Sequence, residues 1–164
     1  MLAILSAAAL AVLAAGAPKV AYKADPARST DVGTVELRLP RHPCFGVTRA
    51  SVLLSVAKAD GQRLWALTAT VADSAAPMQI EGATAAGAPL KLLNVRNGDV
   101  ACTDYQCPTG SAAVFDLGGT ARQAAGSPVS VQVAVSGGDR CALEVPLEPA
   151  TVAALEAWAG GLKK

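Results

Sequence analysis

Three observations predict a mainly β protein, an antiparallel β-sandwich of Ig-like or related type closed by a C-terminal amphipathic helix. Apolar residues alternate with polar ones in several short runs, turn dipeptides separate those runs, and the apolar spacing changes to three and four residues only near the C-terminus. Alternation places every second side chain on one face of a pleated strand. Each such strand has an apolar face to bury against a second layer, and a series of short strands with turns between them indicates a sandwich.

Residues 1–17 carry no charged side chain and end in Ala14, Ala15, Gly16 and Ala17, the pattern of a secretory signal peptide. The apolar stretch is too short to cross ~30 Å of hydrocarbon, which takes about 20 residues. Cleavage after Gly16 fits best, because cleavage after Ala17 would leave Pro18 as the first mature residue. No cysteine lies near that point, so a lipid anchor of the bacterial lipoprotein type is not supported. Residues 18–32 are polar and aperiodic and read as a flexible lead-in; residues 33–162 read as a single β-rich domain. Removing the leader leaves roughly 147 residues, enough for one core but not for two.

Residues 34–39 alternate, with Val35, Leu37 and Leu39 inward, and Pro40 and Pro43 end the run. Residues 51–58 and 63–71 flank Asp60-Gly61, the strongest short-range hairpin signal in the chain. Residues 78–83 and 89–95 predict shorter strands, and Asn97-Gly98 predicts a turn before Val100. Residues 112–117 fit either a strand or a buried helix, and residues 120–125 fit one or two helical turns with Thr120 as cap. Residues 129–136 show the cleanest alternation; Gly137-Gly138-Asp139 turns them back into residues 140–145, where Cys141, Leu143 and Val145 share the core face. The closing helix starts with Pro149 at its first position, carries Val152, Leu155, Trp158 and Leu162 on one stripe, and stops at Gly160-Gly161. Trp158 and Trp65 both have the spacing of packing residues rather than of a ligand platform.

Composition narrows the function classes. The net charge is +1 with basic and acidic residues interspersed, so there is no footprint for nucleic acid or an anionic membrane. With two each of Trp, Tyr and Phe, neither a base-stacking platform nor an aromatic sugar-binding strip has enough material. His42 is the single histidine and no Gly-x-Ser-x-Gly elbow occurs, which disfavours Ser-His-Asp or Cys-His hydrolysis. Glu36, Glu81, Asp99, Asp104 and Asp116 do not form an evident carboxylate pair, and no phosphate-binding loop is present. These features disfavour an enzyme and imply no cofactor.

The four cysteines, Cys44, Cys102, Cys107 and Cys141, all follow the leader, and an even count in an exported small protein points to disulfides. Three connectivities are open; locality favours Cys102 with Cys107, because four residues between them suffice for a β-turn, and leaves Cys44 for Cys141. The alternative is a thiol-redox or metal-handling protein using Cys102 and Cys107. Four intervening residues instead of two depart from the thioredoxin-like motif, and His42, Cys44 and a distant Met78 are the only further soft ligands. Binding is expected through a loop at one end of the sheets, with Asp104, Tyr105 and Gln106 in the cysteine turn as the candidate contact residues and an envelope protein or ligand as partner.

Residues 81–87 before Leu90-Lys91-Leu92-Leu93, Val100-Ala101-Cys102 with Cys107 five positions on, the strand over residues 129–135, and Val145-Pro146 before the last helix give a pattern. That pattern resembles a loosely defined group of uncharacterised exported proteobacterial proteins, small and β-rich. The resemblance covers about half of the mature chain. It implies a periplasmic or secreted location and a local Cys102–Cys107 bridge; Cys44 and Cys141 lie outside it, and it carries over no activity or cofactor.

Overall fold

The computed structural model describes residues 17–73, 77–100, 102–104, 107–136 and 141–162. Among these residues, ten strands and two helices follow in the order β1 (Ala21–Asp25), β2 (Thr30–Leu37), β3 (Val47–Ala57), β4 (Arg63–Asp73), β5 (Gln79–Ala85), β6 (Ala88–Pro89), β7 (Leu92–Asp99), β8 (Thr109–Asp116), α1 (Gly118–Ala124), β9 (Val129–Ser136), β10 (Cys141–Leu147) and α2 (Pro149–Gly161). A six-stranded antiparallel sheet has the order β1-β2-β3-β4-β8-β7, and a four-stranded one the order β10-β9-β5-β6. One buried cluster takes side chains from both sheets, among them Val52, Leu67 and Phe115 from the first and Val133 and Val145 from the second, which makes the protein a β-sandwich.

The alternation sets which face is buried. Leu54, Trp65 and the residues two and four positions from them lie opposite one another across β3 and β4, so one apolar row continues from strand to strand. Asp60-Gly61 makes the β3–β4 turn: Gly61 has φ +70, and the Asp60 carboxylate accepts the Gln62 amide at 2.9 Å. Residues 112–117, ambiguous in sequence, are resolved as a strand, because β8 fills the sheet position between β4 and β7. Asp116, not Thr120, serves the start of α1, accepting the Gly118 amide at 2.9 Å.

Several expectations are corrected. Residues 18–32, expected as an aperiodic lead-in, contain β1 and the first residues of β2. Sequence periodicity is weak there because β1 is an outer strand whose residues are almost all exposed, so no face is held apolar by the core. Asn97-Gly98 makes no turn; both residues belong to β7, with Gly98 opposite Gly110. A tight turn the dipeptide signals missed occurs at Ala86-Gly87, where φ values of 48 and 78 close β5 onto β6. The glycines expected at 137–138 lie outside the described residues, as do residues 1–16 of the expected leader.

Helix α2 starts with Pro149 as expected, but it runs through Gly160 and Gly161, and its buried residues are Thr151, Val152, Leu155 and Ala159. Its stripe is rotated from the expected one: Leu162 is exposed and Trp158 half-buried. The helix lies against β2 and β3. Trp158 rests over Gly33 of β2 so closely that a Cβ built on Gly33 would sit 2.5 Å from Trp158 Cε3. Tyr22 of β1 flanks the indole with ring centroids 6.2 Å apart, and Arg63 at the start of β4 pairs with Glu156. Among the described residues no helix is long and apolar enough to cross a membrane.

Candidate functional site

The cysteines pair as Cys44–Cys141 and Cys102–Cys107. The first pair has a Cα separation of 6.4 Å and ties the connection before β3 to the first residue of β10, linking the two sheets. The second has a Cα separation of 4.0 Å and closes the loop between β7 and β8. Cys102 and Cys107 are exposed, whereas Cys44 and Cys141 are partly buried against the core.

The β7–β8 hairpin carrying the exposed bridge is the candidate site. Asp104 is exposed at its tip; Tyr105 and Gln106, the other two expected contact residues, lie outside the described residues. Below the tip, the Arg96 guanidinium donates from Nη2 to the Asp99 carbonyl at 3.0 Å, and the Thr109 hydroxyl donates to Asp99 Oδ1 at 3.5 Å. β7 is the last strand of the six-stranded sheet, so among the described residues one side of its backbone has no strand partner. It also displays three large aliphatic side chains, Leu92 at 45%, Leu93 at 39% and Val95 at 41% exposure. Val95 lies opposite the buried Ala113 and Leu92 opposite the buried Phe115, so both share the core face of the sheet yet lie beyond its cover. Leu93 is the extra residue of a bulge between Leu92 and Asn94. Sequence reading found the strand but not this exposure, because an edge position is defined by which strands lie alongside.

The metal-binding alternative does not assemble. Cys44 is in a disulfide, Met78 is buried in the core, and the Cys44 amide donates to His42 Nδ1 at 3.1 Å. That bond occupies the Nδ1 lone pair and leaves the neutral ring's proton on Nε2, so neither nitrogen offers a ligand without a change of partners. The imidazole instead stacks on Phe45, with centroids 4.4 Å apart and an interplanar angle of 24°. Among the described residues no three His, Cys, Asp or Glu side chains gather as a metal site.

Nor do the carboxylates converge. Glu36 and Glu81 are exposed on strands of different sheets, and Asp116 serves α1. A shallow groove of about 390 Å³ lies between the β1–β2 and β3–β4 turns, lined by Arg28, Arg63, Ser55 and Leu64 among others. Its two guanidiniums are already engaged, Arg28 with Asp25 and Arg63 with Glu156. The Tyr22 hydroxyl donates to Asp31 Oδ1 at 2.9 Å, and this bond to a carboxylate raises the phenol above its usual value near 10. Lys58 Nζ approaches the same carboxylate at 3.6 Å. Neither a family model, nor a curated protein, nor a solved structure matches this chain.

Proposed function

We propose that this chain is an exported, non-enzymatic binding or envelope-accessory module whose contact element is the β7–β8 hairpin. The observation that carries this reading is the position of the Cys102–Cys107 bridge: it staples the tip of an edge hairpin that displays Leu92, Leu93 and Val95. A bridge there adds nothing to the sandwich interior, but it removes freedom from a loop that would otherwise have to be ordered on binding. Two disulfides favour an oxidising compartment, which agrees with a leader in residues 1–17 and a periplasmic or secreted location.

Partner capture from envelope extract tests the proposal. A partner held by the wild type is expected to be lost with Tyr105→Ala and weakened by Cys102→Ala with Cys107→Ala, while far-UV circular dichroism stays unchanged. Equal recovery from all three proteins would remove the hairpin tip as the contact.

A further inference from the structure

We propose that the cleft beside the Cys44–Cys141 bridge is a ligand site for a small zwitterion of the amino-acid class, whose carboxylate is held by Arg41 and the His42 Nε2–H and whose ammonium faces Asp73. The site is built on the β2–β3 connection and the end of β4, apart from the hairpin tip, and does not depend on the binding reading given to that tip.

The cleft has a volume of about 470 Å³ and is lined by Arg41, His42, Pro43, Phe45, Gly46 and Asp73. Pockets for small ligands run from roughly 300 to 1,000 Å³, so one amino acid has room here. Packing sets the walls. Cys44 ties the β2–β3 connection to β10, and Phe45 is buried in the core. Gly46 sits against the end of β4, where an added Cβ would lie 3.4 Å from the Ala72 carbonyl oxygen and 3.7 Å from the Asp73 Cα. The imidazole is fixed twice, by its stack on Phe45 and by the Cys44 amide that donates to Nδ1. A ligand that uses these groups therefore meets them already ordered.

Charge selects the ligand. With Nδ1 occupied as an acceptor, the neutral ring presents Nε2–H as a donor, and no described residue takes it. Arg41 is exposed and has no ion-pair partner among the described residues. A guanidinium and an N–H in one cleft suit a carboxylate. Asp73 in the same cleft works against a simple anion. It is already engaged, but a carboxylate has about four lone-pair directions and can accept an ammonium as well. Opposite charges lining one small cleft match a molecule that carries both, and Pro43 adds apolar surface for an aliphatic side chain. Asp73 pairs with Thr109 of β8, and Thr109 with Asp99 of β7, so the cleft lies at the same end of the six-stranded sheet as the hairpin tip.

His42 is the single histidine, so its ring signals in nuclear magnetic resonance report on the cleft directly. In the purified oxidised protein near neutral pH, long-range proton–nitrogen spectra should place the ring proton on Nε2. L-alanine should shift these signals to saturation with a dissociation constant of about 1 mM, whereas acetate and methylammonium, each with one of the two charges, should bind at least about tenfold more weakly. Arg41→Ala should weaken L-alanine binding by a similar factor. Asp73→Asn should weaken L-alanine and tighten acetate, a reversal that a general loosening of the loop would not give. Tyr105→Ala, the variant that tests the hairpin tip, should leave L-alanine binding unchanged, so the two readings fail separately. No saturable shift at tens of millimolar L-alanine, a ring proton on Nδ1, or acetate binding as tightly as L-alanine would each overturn the proposal.

Discussion

Ser111 lies fully buried on the core side of β8, opposite Val71, and its hydroxyl has no hydrogen-bond partner among the described residues. A buried unpaired hydroxyl costs desolvation without return, so Ser111→Ala is expected to raise stability by about 1 kcal/mol, read as a higher midpoint in denaturant. Sequence marks the position only as one more small residue of a strand; the missing partner is a property of the packed core. Tyr22 makes a second residue-scale prediction, in pH. Its folded-state value is raised by the hydrogen bond to Asp31, so the neutral phenol is the form the fold favours. The sign follows from linkage: the contribution is fully present below pH about 10 and is lost as pH rises through the folded-state value. Tyr22→Phe should flatten that alkaline limb of the stability profile, and an unchanged limb would count against the assignment.

At the scale of elements, α2 is positioned by one close approach. The indole of Trp158 occupies the space that any side chain on Gly33 would need. Gly33→Ala should therefore displace the helix and destabilise the protein by about 1–3 kcal/mol, the usual range for overpacking. Trp158→Ala empties the same space, so the double variant should cost less than the sum of the single ones, and a double-mutant cycle in denaturant measures the coupling. The helix itself was legible from Pro149 and the spacing of Val152 and Leu155. Its exact rotation was not, because Ala159 and Thr151, which take the buried positions, are no more apolar than the residues around them.

For the whole molecule, the two bridges differ in loop length and in exposure. Cys44–Cys141 spans a sequence separation of 97 and Cys102–Cys107 one of 5. In the chain-entropy model the longer loop contributes ~2–3 kcal/mol more, so Cys44→Ala with Cys141→Ala should lower stability further than Cys102→Ala with Cys107→Ala. Exposure predicts the order of reduction: in limiting dithiol the Cys102–Cys107 bridge should open first, which peptide mapping after alkylation can follow. A thiol-exchange role for that bridge lacks the usual means of thiolate activation, since its loop joins two strands rather than entering a helix.

The sequence by itself determined the β class, the β3–β4 hairpin at Asp60-Gly61, the clean β9–β10 pairing and the terminal helix, because each is governed by residues close together in the chain: an alternation, a turn dipeptide, a helical spacing. The tertiary structure alone decided that residues 21–25 form a strand, that Asn97-Gly98 lies within β7, and that β8 separates β7 from β4. It alone left Leu92, Leu93 and Val95 uncovered on a sheet edge. The physical reason is that strand order, and with it the identity of an edge, depends on contacts between residues far apart in the chain, which local periodicity does not encode.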